Sequence, residues 1–219
     1  MAGVDGVRGG WVVALVHPAG RVQWHTADTA ADVLAATRSA DAVGVDIPLG
    51  LPEGSARRDC DVLTAGRLGR ARAAVFPAPP RPVLAAESYA EACAVARELT
   101  GRAISLQTFH IGGKIADWDT VELPDRVVEV HPELSFRVLA PRTAFAGKRT
   151  VRGAGQRIAA LAGWIDPAAA LADLPTGVGL DDVLDALVAA WSAGRWASGS
   201  AEALGGTLDA RGRPMRVVV

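Results

Sequence analysis

The chain has 219 residues, of which 50% are hydrophobic and 21% charged, so its composition is that of a globular protein and excludes a disordered one. Its formal net charge of −1 excludes a strongly basic protein, although a local basic patch could still attract nucleic acid. The length suits one sizeable core, and we expect one α/β domain with an insertion rather than two domains.

The cellular setting is predicted from features that the sequence lacks. No apolar run approaches the roughly 18 residues that a membrane span needs, so we expect no membrane partner. The first residues show no basic segment followed by an apolar one, and we expect no secretory leader and a cytoplasmic location. Cys60 and Cys93 have neither metal-binding nor redox spacing, which predicts reduced thiols in the core.

The first part of the chain alternates between apolar strands and tight turns. Residues 3–16 predict a strand, a glycine turn and a second strand, and residues 21–26 continue the alternation as a third strand. Residues 30–38 have the spacing of a helix with one buried face. The apolar run 42–47 suits a buried strand parallel to the first. The predicted order is therefore βββαβ.

Residues 49–126 are the least regular part of the chain and form the predicted insertion. Within them we expect a basic helix over residues 57–72, an extended proline-rich loop at 76–82 and a helix over 89–99. No element is predicted for the polar, glycine-containing stretch at residues 107–114.

The last part of the chain predicts one more central strand followed mainly by helices. The predicted elements are a strand over residues 126–130, helices over 134–139, 156–164, 167–171 and 180–191, and a final edge strand over 215–219. Residues 142–157 carry five basic residues and no acid. Such a segment is usually a solvated face, but it also suits a loop that contacts phosphate groups.

Four acids stand out by their positions in these elements. Asp5 interrupts the first strand, Asp46 interrupts the parallel strand, and Asp182 and Asp185 share one face of the late helix. An acid in an apolar strand is costly unless it is paired, and several converging carboxylates repel one another unless divalent cations bridge them. The helix dipole alone would explain Asp182 in the first turn, but it explains the deeper Asp185 less well.

Several stretches of the sequence together resemble a known family. GVDG (residues 3–6), VGVDIP (43–48) and DDVLDAL (181–187) look like the RNase H-like fold, while SARRDCD, VFPAPPR, EVHPELSF and GKRT resemble the domain of unknown function 429 family. That family is described as predicted RNase H-like nucleases, and the resemblance covers nearly the whole chain. It implies an α/β fold with a five-stranded mixed sheet, in the order 3-2-1-4-5, flanked by helices. Residues 1–219 would form a single RNase H-like domain, with residues 49–126 as an insertion after strand four.

The resemblance also implies an activity and a set of site residues. The active site is similar to that of RuvC-type Holliday-junction resolvases, except that this chain has Asp46 on strand four where they use a Glu. We expect a nuclease that hydrolyses phosphodiester bonds of nucleic acid with Mg²⁺ or Mn²⁺. The predicted metal ligands, which are also catalytic, are Asp5, Asp46, Asp182 and Asp185, and Glu129 is a further predicted catalytic residue. The predicted substrate-binding residues are Arg58, His131, Lys148 and Arg149.

Simpler interpretations and other function classes stay open. Glu129 also fits a solvated strand acid, and His131 fits a structural hydrogen-bonding residue before a proline. A nucleotide-binding protein such as an actin-like ATPase or a sugar kinase would use the glycines near Asp5 for phosphate contacts, but that class normally needs two copies of the fold. A nucleic-acid-binding protein that does not cut is the third class. The kind of nucleic acid and the assembly, with a homodimer among the candidates, are left open.

Overall fold

The computed structural model describes all residues, 1–219, and shows an α/β protein. Its strands are β1 (Ala2–Val7), β2 (Gly10–Val16), β3 (Val22–Ala27), β4 (Val43–Val45), β5 (Val127–Val130), β6 (Ala203–Leu208) and β7 (Pro214–Val218). Its helices are α1 (Ala30–Ala36), α2 (Asp59–Leu68), α3 (Tyr89–Thr100), α4 (Leu106–Thr120), α5 (Pro132–Leu139), α6 (Val151–Leu161), α7 (Pro167–Leu171) and α8 (Leu180–Ala197). None of these helices combines the length and apolar character needed to cross a membrane.

The strands form one mixed sheet in the order β3-β2-β1-β4-β5-β7-β6. The hairpins β1–β2 and β2–β3 are antiparallel, whereas β1–β4 and β4–β5 are parallel. The first five strands follow the predicted order, but the prediction of a five-stranded sheet is wrong because the sheet has seven strands. The missed strand β6 has the sequence ALGGTL and is mostly exposed, so no alternation of buried and exposed apolar residues marks it.

One helix was also missed, in the stretch for which no element was predicted. Helix α4 runs through Gly112 and Gly113, begins at the N-cap Ser105 and buries Ile115 and Trp118. Glycine in a helix interior costs about 1 kcal/mol relative to alanine, and burial of the two large side chains offsets this cost. Tertiary packing therefore overrides the weak local helix preference of this stretch.

The chain divides into two compact units. Unit 1 comprises Met1–Asp46, Pro124–Glu202 and Val218–Val219, and unit 2 comprises Ile47–Leu123 and Ala203–Val217.

In unit 1, helix α8 packs across the central strands of the sheet. Its residues Val183, Leu184, Leu187 and Val188 are buried in the main apolar core with Val12 of β2. Ala14 and Val16 of β2 belong to the same core, and burial of such apolar side chains is the main favourable term in folding. Helix α8 is therefore held firmly against the sheet.

In unit 2, charged side chains replace part of an apolar core. Arg58 and Asp61 form a buried ion pair, and Asp119 is paired with Arg81, Arg211 and Arg213. Both cysteines lie in this unit as buried free thiols, in agreement with the prediction of reduced core thiols.

Candidate metal centre

Asp5 lies in the middle of the sheet, on strand β1. It is 7% exposed and pairs with Val12 of the antiparallel neighbour β2. Its Oδ1 accepts a hydrogen bond from the backbone N–H of Gly6 at 2.8 Å. One carboxylate oxygen is thus oriented by the backbone of β1 itself.

Asp46 follows strand β4 directly and lies beside Asp5. Val4 of β1 is in register with Val45 of β4, and the N–H of Asp46 donates to the carbonyl of Val4 at 3.0 Å. The parallel pairing therefore continues to the residue pair Asp5–Asp46. Asp46 is half-buried.

Asp185 reaches the same place from helix α8, where it is 3% exposed. Two glycines allow the helix to come this close to the sheet. A Cβ on Gly3 would overlap the backbone of Ala186, and a Cβ on Gly44 would overlap the carbonyl oxygen of Ala189. Glycine on β1 and β4, facing alanines on α8, sets the depth at which Asp185 enters the sheet.

The three carboxylates converge. One ligand oxygen from each of Asp5, Asp46 and Asp185 can be chosen so that all lie within 4.8 Å of one another. Two oxygens on opposite sides of a divalent cation, each bonded at about 2.1–2.4 Å, are about 4.2–4.8 Å apart. Hard divalent cations such as Mg²⁺ and Mn²⁺ prefer carboxylate oxygens, so the donor set fits the predicted metal. We call these three residues the carboxylate cluster.

Burial and mutual repulsion change the acidity of the carboxylate cluster. Burial, then Asp46 and Asp185, raise the pKa of Asp5 well above its ordinary value. Burial and the nearby Asp185 raise the pKa of Asp46 to about 8. Burial raises the pKa of Asp185 to about 6, although Lys148 acts in the opposite direction. Burial and mutual repulsion therefore disfavour the charged forms of these three groups.

Lys148 supplies one positive charge at the cluster. Its Nζ donates to Oδ2 of Asp185 at 2.5 Å, and the side chain remains 42% exposed. Burial acts to lower the pKa of Lys148, but Asp185, Asp5 and Asp46 outweigh it and raise that pKa above its ordinary value. The ammonium group therefore stays charged beside the three acids.

The loop that carries Lys148 is anchored by residues that were not predicted to matter. Gln156 of α6 accepts from the N–H of Ala146 at 2.8 Å, and Arg157 donates to the carbonyl of Ala146 at 3.0 Å. Arg157 is buried, is paired with Glu133 at 2.6 Å, and lies against the rings of two phenylalanines. An arginine within a basic segment looks like a solvated charge, so no feature of the sequence marked its structural role.

The structure separates the other predicted site residues into two groups. Asp182 is half-buried one turn before Asp185 and is not one of the three converging acids, although its charge contributes to the raised pKa of Asp5. Glu129 is buried on β5 in register with Val45, where its charge contributes to the raised pKa of Asp46. Each of these two acids therefore acts on one member of the cluster through its charge.

The remaining predicted residues lie outside the cluster. His131 is the N-cap residue of α5. Arg149 has an 87% exposed side chain and is 3.4 Å from Asp181. Arg58 lies in unit 2 and is 1% exposed, with Asp61 and the carbonyl of Gly50 as partners. Its guanidinium is committed to contacts within that unit.

The sequence matches the family described as "Protein of unknown function (DUF429)" over residues 3–209. The chain is thus an α/β protein with a buried carboxylate cluster, and it belongs to this family. No curated protein and no solved structure gives a significant match.

Proposed function

We propose that the protein is a divalent-metal-dependent nuclease with an RNase H-like fold. The observation that carries the proposal is the convergence of Asp5, Asp46 and Asp185, from two adjacent parallel strands and one helix, within 4.8 Å. The strand order β3-β2-β1-β4-β5 within the sheet supports the same fold, because it puts the strands that carry Asp5 and Asp46 side by side.

Each residue has a definite task in this proposal. Asp5, Asp46 and Asp185 hold Mg²⁺ or Mn²⁺, which when bound activates water and stabilises the leaving oxygen of a phosphodiester. Lys148, partly exposed beside the cluster, contacts a non-bridging phosphate oxygen. Asp182 and Glu129 add negative charge around the cluster and strengthen its attraction for cations.

The class of substrate is proposed from the basic side chains next to the carboxylate cluster. Arg142, Lys148, Arg149 and Arg152 are exposed on the loop and first turn that precede the body of α6. Such groups attract phosphates without reading sequence. We therefore propose a nucleic-acid strand as the substrate.

The test combines cleavage with metal binding. Purified protein is incubated with Mg²⁺ or Mn²⁺ and labelled duplex DNA, RNA–DNA hybrid, single strands and a four-way junction, and cation binding is measured by calorimetry. We expect cleavage of at least one substrate, abolished by EDTA and reduced about 100-fold or more in Asp5→Asn, since loss of a residue that only orients a metal ligand costs about 10–100-fold and Asp5 is a proposed ligand itself.

The matched control is Asp28→Asn, which removes an exposed acid of unit 1 and should retain full activity. Cleavage by Asp5→Asn at the wild-type rate would refute the proposal. Cation binding that depends on Asp5, without cleavage of any substrate, would instead identify a metal-binding protein that does not cut.

A further inference from the structure

Unit 2 contains a cavity of about 390 Å³ that the carboxylate cluster does not use. Its wall is formed by some of the residues of three segments, 52–61, 77–80 and 96–108. Two of the stretches that resemble the family, SARRDCD and VFPAPPR, contribute to this wall. Cavities of about 300–1,000 Å³ are typical of small-molecule sites, so this one is large enough for a ligand.

A buried ion pair gives the cavity a rigid side. Arg58 Nη2 is 2.5 Å from Asp61 Oδ1, and the other carboxylate oxygen accepts from the N–H of Ala78 at 3.1 Å. Arg58 also donates to the carbonyl of Gly50 at 3.1 Å. The pair is neutral as a whole and satisfied by these bonds, so it shapes the cavity without adding net charge.

Two further arginines give the cavity an excess of positive charge. Arg57 and Arg102 line it and are exposed. Every other charged residue of the wall belongs to the Arg58–Asp61 pair. With that pair neutral, the cavity carries two positive charges, which favours an anion of charge −2.

The rest of the wall suits a ligand with an organic part. Pro52, Pro77, Pro79 and Pro80 form a stiff apolar surface. Helix α4 begins at the cavity, with Ser105 as its N-cap, and the N-terminus of a helix favours negative charge. The hydroxyl group of Ser55 adds a hydrogen-bonding group in the same wall.

We propose that this cavity binds a small phosphate monoester of nucleotide size. The two guanidiniums of Arg57 and Arg102 bind the dianionic phosphate, for which the planar arginine side chain is well suited. The proline surface contacts the organic group. The phosphate monoester could belong to a free nucleotide or to the 5′-phosphorylated end of a strand.

Binding is measured by calorimetry on the full chain in EDTA, which prevents recruitment of phosphate through a metal. The probes are adenosine 5′-monophosphate, adenosine, and a tetranucleotide with and without a 5′-phosphate. We expect the monophosphate to bind with a Kd below about 1 mM and adenosine at least tenfold more weakly. Tighter binding of the phosphorylated tetranucleotide than of the monophosphate would assign the site to a strand end, and the reverse order to a free nucleotide.

Substitution of the two arginines tests the location of the site. Arg57→Ala combined with Arg102→Ala should weaken monophosphate binding about 100-fold, since each charge-assisted contact contributes on the order of tenfold. Arg70→Ala, which removes an exposed arginine of unit 2 that does not line the cavity, should bind as the wild type does. Both replaced arginines are exposed, so circular dichroism should show an unchanged fold.

Two results would overturn the proposal. One is binding of the monophosphate with equal affinity by the wild type and the double variant. The other is absence of binding of every phosphorylated probe by a folded wild-type protein. Because no cleavage is measured, neither result depends on whether the protein is a nuclease.

Discussion

At the level of single residues, the carboxylate cluster shows how burial changes the acidity of ordinary aspartates. The pKa of Asp46 is raised to about 8 by burial and by Asp185, whereas an aspartate in an unfolded chain has a pKa of about 4. Without a cation, the folded protein therefore holds more protons than the unfolded chain between these two pH values. The contribution of Asp46 to the free energy of unfolding is therefore fully present below about pH 4, and it is lost as the pH rises through about 8.

The first prediction concerns this pH dependence. In EDTA, the urea midpoint of the wild type should fall as the pH rises from 5.5 to 8.5, and it should fall less in Asp46→Asn because the amide does not titrate. Asp28→Asn should keep the wild-type slope. Parallel pH profiles for the wild type and Asp46→Asn would show that Asp46 does not titrate as its surroundings indicate.

The second prediction concerns Lys148, whose ammonium group contacts Asp185 at 2.5 Å. In Lys148→Gln, removal of a positive charge from the cluster should tighten Mn²⁺ binding on the order of tenfold. Cleavage should nevertheless fall by about tenfold or more, because a phosphate contact is lost. Calorimetry and a cleavage assay measure the two effects separately.

Arg149→Gln is the matched control, because this neighbouring charge is 87% exposed and is paired only with Asp181. It should change both quantities less than Lys148→Gln does. Weaker Mn²⁺ binding in Lys148→Gln would contradict the electrostatic role assigned to the lysine.

At the level of elements, the position of α8 on the sheet decides whether the cluster exists. Asp185 reaches Asp5 and Asp46 only because Gly3 and Gly44 leave room for the helix backbone. Interiors of proteins are closely packed, so an added methyl group at this interface must displace the helix or the strand. We therefore expect packing at these two glycines and metal binding by the cluster to be linked.

The third prediction tests that link with Gly44→Ala. We expect a loss of about 1–3 kcal/mol in the free energy of unfolding, as for other overpacked sites, together with weaker Mn²⁺ binding. Gly155→Ala is the control, because a Cβ at this position in α6 meets nothing within 4 Å and should stabilise the helix by about 0.5–1 kcal/mol. Urea unfolding measures the stability of both variants, and calorimetry measures their affinity for Mn²⁺. An unchanged Mn²⁺ affinity in a destabilised Gly44→Ala would contradict the expected link between packing and metal binding.

At the level of the whole molecule, cation binding should appear as stability of unit 1. All three acids of the cluster lie in this unit, and so do all the tryptophans except Trp118. Tryptophan fluorescence therefore reports mainly the unfolding of the part of the chain that carries the site.

The fourth prediction uses this reporter. A cation at 100 times its Kd should add about 2.7 kcal/mol to the stability of the folded state, which for a chain of this size raises Tm by roughly 5–10 °C. At one fixed cation concentration, the gain in stability should be larger at pH 8 than at pH 5.5, because protons compete with the cation for the carboxyls whose pKa is raised and so weaken its binding at the lower pH. In Asp5→Asn, the cation should add little stability at either pH. If the cation raised the Tm of this variant as much as that of the wild type, it would bind at a site other than the cluster.

The sequence by itself determined the family, the first five strands and the identity of the unusual acids. Asp5 and Asp46 were recognisable because an acid within a short apolar strand contradicts the local pattern, and that pattern depends only on neighbouring residues. Helices α1, α3 and α8 were predictable for the same reason, since their apolar spacing and capping residues are local features.

Only the tertiary structure decided which of these residues meet. Asp182 and Asp185 share a helix face, but the rotation and depth of α8, set by Gly3 and Gly44, bring only Asp185 into the group of three acids. Arg58 and Arg157 look like exposed charges in sequence, yet both are buried in ion pairs with acids brought close by the fold. Local periodicity encodes which residues are buried, whereas contacts between distant residues depend on how the elements pack, and that information is spread over the whole chain.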